Sequence, residues 1–331
     1  MDPENHDRPY MPYAAVKEKQ VEWLWYPYLS YGKLTILQGD PGEGKSTLAI
    51  QIAAMMTKGE AFPLSEERKK PENVIYQCAE DDPEDTVLSR LKAAGADLDR
   101  VYFITEEDRN LTLEDREIEE SIRMSGARLV ILDPIQAFIP SDGDMQSAAY
   151  MRGVMRNLAS VAQKYGCAVI LIGHMNKSRG GKNLYRGLGS IDIAAIARSV
   201  LMVKRNERVP GIRYMCQIKS NLAPEGDAMA FYIDGKGVFH WIGPCCPTFT
   251  GLEQSDPGRR KQDLVKECLR TILSLGGVPT KDILLRVKMI GISEKTARNA
   301  GKEMNIRAYR KGGRWHWMLP DEGKPEGMEA D

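Results

Sequence analysis

The chain has 331 residues, 42% of them hydrophobic, with 46 basic and 46 acidic side chains. That length suffices for one large and one small folded unit, no apolar run approaches the roughly 18 residues of a membrane helix, and the polar start MDPENHDRPYMPY lacks an apolar signal core, so a cytoplasmic protein without a membrane partner is expected. Six cysteines, at 78, 167, 216, 245, 246 and 268, show no CxxC spacing, which argues against a zinc site and for reduced, buried thiols.

In chain order, residues 1–30 are rich in proline and aromatics (VEWLWYPYLSYG), show no clear period and read as an arm. Over 31–245 short apolar runs alternate with helical stretches, the pattern of a mostly parallel sheet flanked by helices. Candidate strands are 34–38, 74–79, 101–105, 129–133, 168–174 and 200–203; runs at 214–218, 228–233 and 237–242 follow with short turns and read as antiparallel additions. Pro, Gly and Ser then mark a linker at 246–260. Residues 261–320 form a compact second unit and 321–331 an acidic tail. Helices are predicted at 263–273, 280–287 and 293–304, the last capped by Ser293, with short strands at 307–309 and 315–319. Three helices and a hairpin form a winged-helix-like pattern, with 293–304 as the recognition helix. Residues 256–320 hold 15 basic and 6 acidic side chains, net +9, which leaves −9 for the rest of the chain. Such asymmetry suits a basic appendage with an anionic partner, DNA before protein, although a solvated basic surface would have the same composition.

The sharpest motif is Gly39-Asp40-Pro41-Gly42-Glu43-Gly44-Lys45-Ser46, followed by Thr47, which fits G-x-x-x-x-G-K-[ST] between an apolar strand and a helix. Its glycines let successive backbone N–H groups face phosphate oxygens at a helix N-terminus. Lys45 is expected to reach the β- and γ-phosphates of ATP, and the Ser46 hydroxyl to ligate Mg²⁺. Asp133 ends the run LVILD at a strand's carboxyl end and is the second expected Mg²⁺ group. Pro134, not an acid, follows it, so the group that activates water must lie elsewhere. Glu80, at the end of NVIYQCAE, is placed for that work, or is one member of an acidic loop with Asp81, Asp82, Glu84 and Asp85.

The ordered set QGDPGEGKST, YQCAEDD, RLVILDPIQAF, CAVILIGHMNKS, RGLGSIDIAAIARSVLMV and IKSN resembles RecA-like P-loop ATPases, in particular the RepA-type replicative helicases of plasmids and phages, with DnaB-type helicases as more distant relatives. The resemblance covers about two-thirds of the chain. It implies a RecA-like core, with Glu80 as the catalytic glutamate and His174 as the residue that senses the terminal phosphate and relays to DNA. It also implies Arg198 as an arginine finger reaching a neighbouring copy's nucleotide, and hence a homo-oligomer, in these helicases a hexameric ring. Lys219 matches a second cation that DnaB-type helicases send across the interface; their following arginine is Asn221 here, which favours Arg198 as the finger and leaves Arg205 as a competitor. The Gly-rich segment after His174 carries Lys177, Arg179, Lys182 and Arg186, suited to tracking single-stranded DNA in a ring channel, or to being a solvated loop. The expected function is an ATP-dependent DNA translocase, the replicative helicase of a mobile element, with an initiator, loader or primase as further partners. A DNA-binding ATP switch that loads or regulates replication proteins without unwinding is the alternative, and a strand-exchange recombinase a third reading.

Overall fold

The structure is a computed structural model that describes residues 10–105, 111–140, 147–174, 191–206, 211–245, 261–273, 276–289 and 292–320. A short hairpin, β1 (Trp23–Trp25) and β2 (Leu29–Ser30), precedes β3 (Leu34–Gly39) and α1 (Lys45–Thr57). β4 (Val74–Cys78) then runs through a π-helical turn, Pro83–Val87, into α2 (Leu88–Ala93), followed by β5 (Val101–Tyr102) and α3 (Arg116–Ser125). β6 (Leu129–Asp133), α4 (Ala148–Tyr165), β7 (Ala168–His174), α5 (Ile191–Ile196) and β8 (Ser199–Arg205) come next, and β9 (Ile212–Ser220), β10 (Ala228–Ile233) and β11 (Phe239–Cys245) complete the main sheet.

The nine strands are ordered β11-β10-β9-β8-β3-β7-β6-β4-β5. From β8 to β5 all pairings are parallel, and β9, β10 and β11 extend the sheet antiparallel. The chain leaves β3 for the distant β4 and returns to both flanks of β3, so a topological switch point lies at the carboxyl end of β3, where open α/β sheets bind ligands. This large mixed sheet with helices on both faces fits a RecA-like P-loop core.

Side-chain alternation divides the interior. Val74 and Tyr76 of β4 and Leu129 and Ile131 of β6 join α1 in one core; Ile75, Val130 and Leu132 face the other, formed with α3 and α4. Strands buried on both faces must be apolar almost throughout, which is why they read as continuous runs. α1 is apolar around most of its circumference and is buried accordingly.

Three features depart from the sequence reading. The arm expected over 1–30 joins the core from Trp23 onward: Leu24, Trp25, Tyr28 and Leu29 are fully buried. Trp25 stacks on Phe62 and meets Trp241 edge-on, while its indole nitrogen donates to the Pro63 carbonyl at 3.0 Å. These contacts are long-range, so no local period announces them. β5 stops at Tyr102 instead of reaching 105, because the Gln77 side-chain amide takes over the pairing, accepting from Ile104 N at 2.8 Å and donating to Ile104 O at 3.3 Å.

The third concerns the C-terminal unit, which contains α6 (Lys261–Leu273), β12 (Val278–Pro279), α7 (Thr280–Met289), α8 (Glu294–Glu303), β13 (Arg307–Lys311) and β14 (Arg314–Met318). Ser293 caps α8, its hydroxyl accepting from Thr296 N at 3.2 Å. Far from being a separate bead, this unit buries Val265, Leu269, Ile272, Ile283 and Val287 in one cluster with Ile212, Tyr214, Cys216, Ala230 and Ile242 of the main sheet. The expected linker at 246–260 and the tail at 321–331 lie outside the described residues. Among the described residues, no helix is long and apolar enough to cross a membrane.

Candidate nucleotide site

The loop leaving β3 is shaped by its glycines. A Cβ on Gly39 would sit 2.5 Å from the Val203 carbonyl oxygen of the adjacent β8, so only glycine permits that approach. Gly42 and Gly44 have φ of +77° and +93°, the left-handed region in which a side chain is strained. α1 begins immediately afterwards, at Lys45. Its first amides, which have no partner within the helix, point out of its N-terminus and make a ready anion site.

Lys45 is 4% exposed, and its Nζ donates to the carbonyls of Gly39 at 2.9 Å and Asp40 at 3.0 Å. Nζ also lies 3.3 Å from His174 Nδ1. Burial pushes the Lys45 ammonium below its usual range, while Asp133, Glu43, Asp40 and Glu80 pull it back up. Asp133, at the tip of β6, is 4% exposed, bonds the Ser46 side chain, and accepts from the Tyr76 hydroxyl at 2.8 Å. Burial raises its carboxyl above the ordinary carboxylate range, against the lowering effect of the Ser46 and Tyr76 bonds.

His174 pairs in register with Gly39, which seats its ring beside the loop, and its Nε2 lies 3.7 Å from Glu80 Oε1. Glu80 differs from its acidic neighbours. Asp81 is paired with Arg90 at 2.6 Å, Asp82 caps the π-helical turn by accepting from Glu84 N and Asp85 N, and Asp85 accepts from Thr86. Glu80, largely exposed, is the one that faces His174 across the cleft. Lys45, Ser46, Glu80 and His174 thus line a single cleft of about 750 Å³, with Asp133 at its base touching Ser46.

The donor set fits Mg²⁺. A hard cation takes oxygen ligands and completes its shell with water and substrate phosphates, and the Ser46 hydroxyl and Asp133 carboxylate already meet at the loop. Among the described residues there is no group of three or more His, Cys, Asp or Glu side chains that could hold a metal ion.

The basic residues sort differently. Arg205, at the end of β8, donates through Nη2 to the Gly42 carbonyl at 2.8 Å, so it braces its own loop. Arg198 precedes β8 at the other end of the sheet, where its amide donates to Leu34 O, and is exposed. Lys219 sits at that same end, paired with Val200. Its ammonium donates to Ala194 O, Ala195 O and Ala197 O at 2.8, 3.0 and 2.8 Å, which occupies all three of its protons at the end of α5. A lysine so engaged closes a helix terminus, at odds with the cross-interface role that the resemblance implied for it. Lys177, Arg179, Lys182 and Arg186 lie outside the described residues.

Two residues of this site were missed in the sequence. Tyr76, inside the apolar run VIYQC, positions Asp133. Arg213, in IRYMCQIKS, lines the cleft beside Gly44; it is 9% exposed, Nη1 donates to Gly211 O at 2.8 Å, and Nε is buried with no partner among the described residues. A polar residue inside an otherwise apolar strand was the available signal in both cases.

A family described as the AAA domain matches residues 13–180, just over half of the chain. Among curated proteins, the chain is similar to the DNA repair protein RadA of Halalkalibacterium halodurans, at 28% identity over 148 residues, covering 44% of this chain and 28% of that protein. RadA of Chlamydia pneumoniae is 31% identical over 149 residues, covering 44% and 29%, and RadA of Bacillus subtilis 26% identical over 148 residues, covering 44% and 28%. The matched stretch therefore spans less than a third of these relatives.

Proposed function

The chain belongs to the AAA domain family, with a RecA-like P-loop core, and from that premise we propose that it is an ATP-dependent DNA translocase, the replicative helicase of a mobile element. One observation carries the proposal: Lys45, the Ser46–Asp133 pair and the His174–Glu80 pair, from four different strand ends, meet in a single cleft at the switch point of the sheet.

In this reading the loop amides and the N-terminus of α1 hold the triphosphate, and Lys45 exchanges its loop carbonyls for phosphate oxygens. Mg²⁺, held by Ser46 and Asp133, supplies charge neutralisation at the phosphates. Glu80 orients the attacking water and accepts its proton. His174, within reach of both Lys45 and Glu80, registers whether the terminal phosphate is present. Arg198, at the opposite end of the sheet from its own nucleotide, serves a neighbouring copy as a finger in trans, within an oligomer expected to be a hexameric ring. Lys219 then anchors α5 beside Arg198 and does not itself cross the interface.

The names of the RadA relatives support DNA as the partner. Single-stranded DNA would follow Lys177, Arg179, Lys182 and Arg186. The C-terminal unit, read as winged-helix-like, would add a second contact through its exposed cations on α8 and on the β13–β14 hairpin, or would bind an initiator, loader or primase. ATP hydrolysis measured with and without single-stranded DNA, alongside displacement of one strand of a forked duplex, tests the proposal. Stimulated hydrolysis with strand displacement supports it. Stimulated hydrolysis without displacement selects the alternative, an ATP switch that regulates replication proteins. Hydrolysis that survives Lys45→Ala would remove the site altogether.

A further inference from the structure

We propose that Arg213 binds the non-reacting end of the nucleotide, the α-phosphate and ribose side of a nucleoside di- or triphosphate; this deepens the ATP-site reading above and rests on it. Strand order supplies the first argument. Glu80, His174 and Asp133 end β4, β7 and β6, all on one side of β3, whereas Arg213 belongs to β9, two strands away on the other side. A triphosphate anchored at Lys45 that turns its terminal phosphorus toward the acids must send its opposite end toward β8 and β9. The cleft continues in that direction past Arg213 to Ile233 and Val238, a mostly apolar stretch suited to the uncharged part of a nucleotide.

Burial supplies the second argument. Arg213 as a residue is 9% exposed, and a guanidinium carried into such a place is costly unless its donors are met. One is met by the Gly211 carbonyl, but Nε is enclosed without an acceptor among the described residues. Glu43 carries the complementary orphan, Oε2, yet the two do not join. Burial first, and then the nearby Arg205, disfavour the Arg213 charge, while Glu43 partly offsets them. An anionic oxygen from a ligand would satisfy Nε and relieve that repulsion together. The third argument is Gly44: a Cβ there would lie 3.0 Å from Arg213 Nε and 2.9 Å from its Cδ, so the loop glycine directly abuts this side chain.

The test compares fluorescent ADP and fluorescent ATP binding, with Mg²⁺, in the full chain and in Arg213→Gln and Arg213→Lys, together with steady-state hydrolysis. Loss of a charge-assisted hydrogen bond to the shared end of both nucleotides should weaken ADP and ATP alike, roughly ten- to a hundredfold. KM should rise in parallel, with kcat at saturation within about twofold, and Arg213→Lys should recover part of the affinity. Unchanged ADP affinity, or weakening of ATP alone, would overturn the assignment, as would a lowered Tm with unaltered affinity, which would make Arg213 structural. Failure of the unsubstituted chain to bind either nucleotide, or full binding by Lys45→Ala, would strike the underlying site reading, a result distinct from failure of Arg213 alone.

Discussion

The two ends of the parallel sheet are built to opposite rules. At the carboxyl end, four strands deliver Lys45, Asp133, His174 and Glu80 into one cleft, and these groups already contact one another. At the amino end, the two cations share a neighbourhood but not a state: Lys219 is fully engaged with α5, while Arg198 is exposed. One end is assembled within a single chain; the other holds an exposed arginine that, on the proposed reading, serves a second copy. On that reading, position in the sheet separates what a chain does alone from what it does in company.

The sharpest way to break this contrast is to mix two disabled variants. On the proposed reading, Arg198→Ala lowers hydrolysis by about 10³-fold, the lower bound for a lost finger, while nucleotide binding persists. Mixed with Lys45→Ala, it should regain activity, because some interfaces then pair an intact loop with an intact finger. Absence of any rescue, with co-assembly verified, would sink the trans assignment. Next in size, Glu80→Gln should retain ATP binding and lose roughly 10²-fold in turnover; equal losses from Asp81→Asn would show that the acidic loop, not Glu80, is responsible.

Lys219→Met tests the other half of the contrast. Withdrawing the ammonium leaves three carbonyls short of a donor, with an expected cost of about 1–3 kcal/mol in thermal or denaturant unfolding, and the turnover of the folded enzyme should fall far less than with Arg198→Ala. A loss of turnover as deep as that of Arg198→Ala, without destabilisation, would return Lys219 to the interface.

The smallest effect concerns buried thiols. Burial raises Cys167 to about 11 and Cys216 to about 12, from 9.0. A group whose folded value lies above its unfolded one stabilises the fold fully below the unfolded value, and that contribution fades as pH climbs from about 9 through the folded values. Unfolding free energy should therefore decline on the alkaline side, and Cys216→Ala should flatten that limb; an unchanged limb would assign the decline to other groups.

How legible this was depended on the range of the contacts. The placement of the phosphate loop, Asp133 and Glu80 at strand ends was readable because each is announced by its own neighbours: a glycine pattern, or an acid following an apolar strand. The engagement of Lys219 was not, since its partners lie 22 to 25 residues away and meet it only through sheet register. Trp25 and Tyr28 looked like an arm for the same reason, with Tyr28 donating to Asp227 O across 199 residues. Arg213 stands just before the apolar run at 214–218, in a strand that begins earlier, at Ile212, and faces two ways. The resemblance to helicases drew attention to Lys219 on that strand and away from Arg213, six residues earlier.

That double-faced strand has a practical corollary. Ile212 and Tyr214, on either side of Arg213, lie under the C-terminal unit, in the same cluster as Ala230 and Ile242. A chain cut back to residue 245 would unroof this apolar patch and invite self-association. It would also remove the packing against Ile212 and Tyr214, which flank Arg213 in its strand. The small unit is thus a cover over one face of the antiparallel strands, and trimming it away would loosen the surroundings of Arg213 as well as shorten the chain.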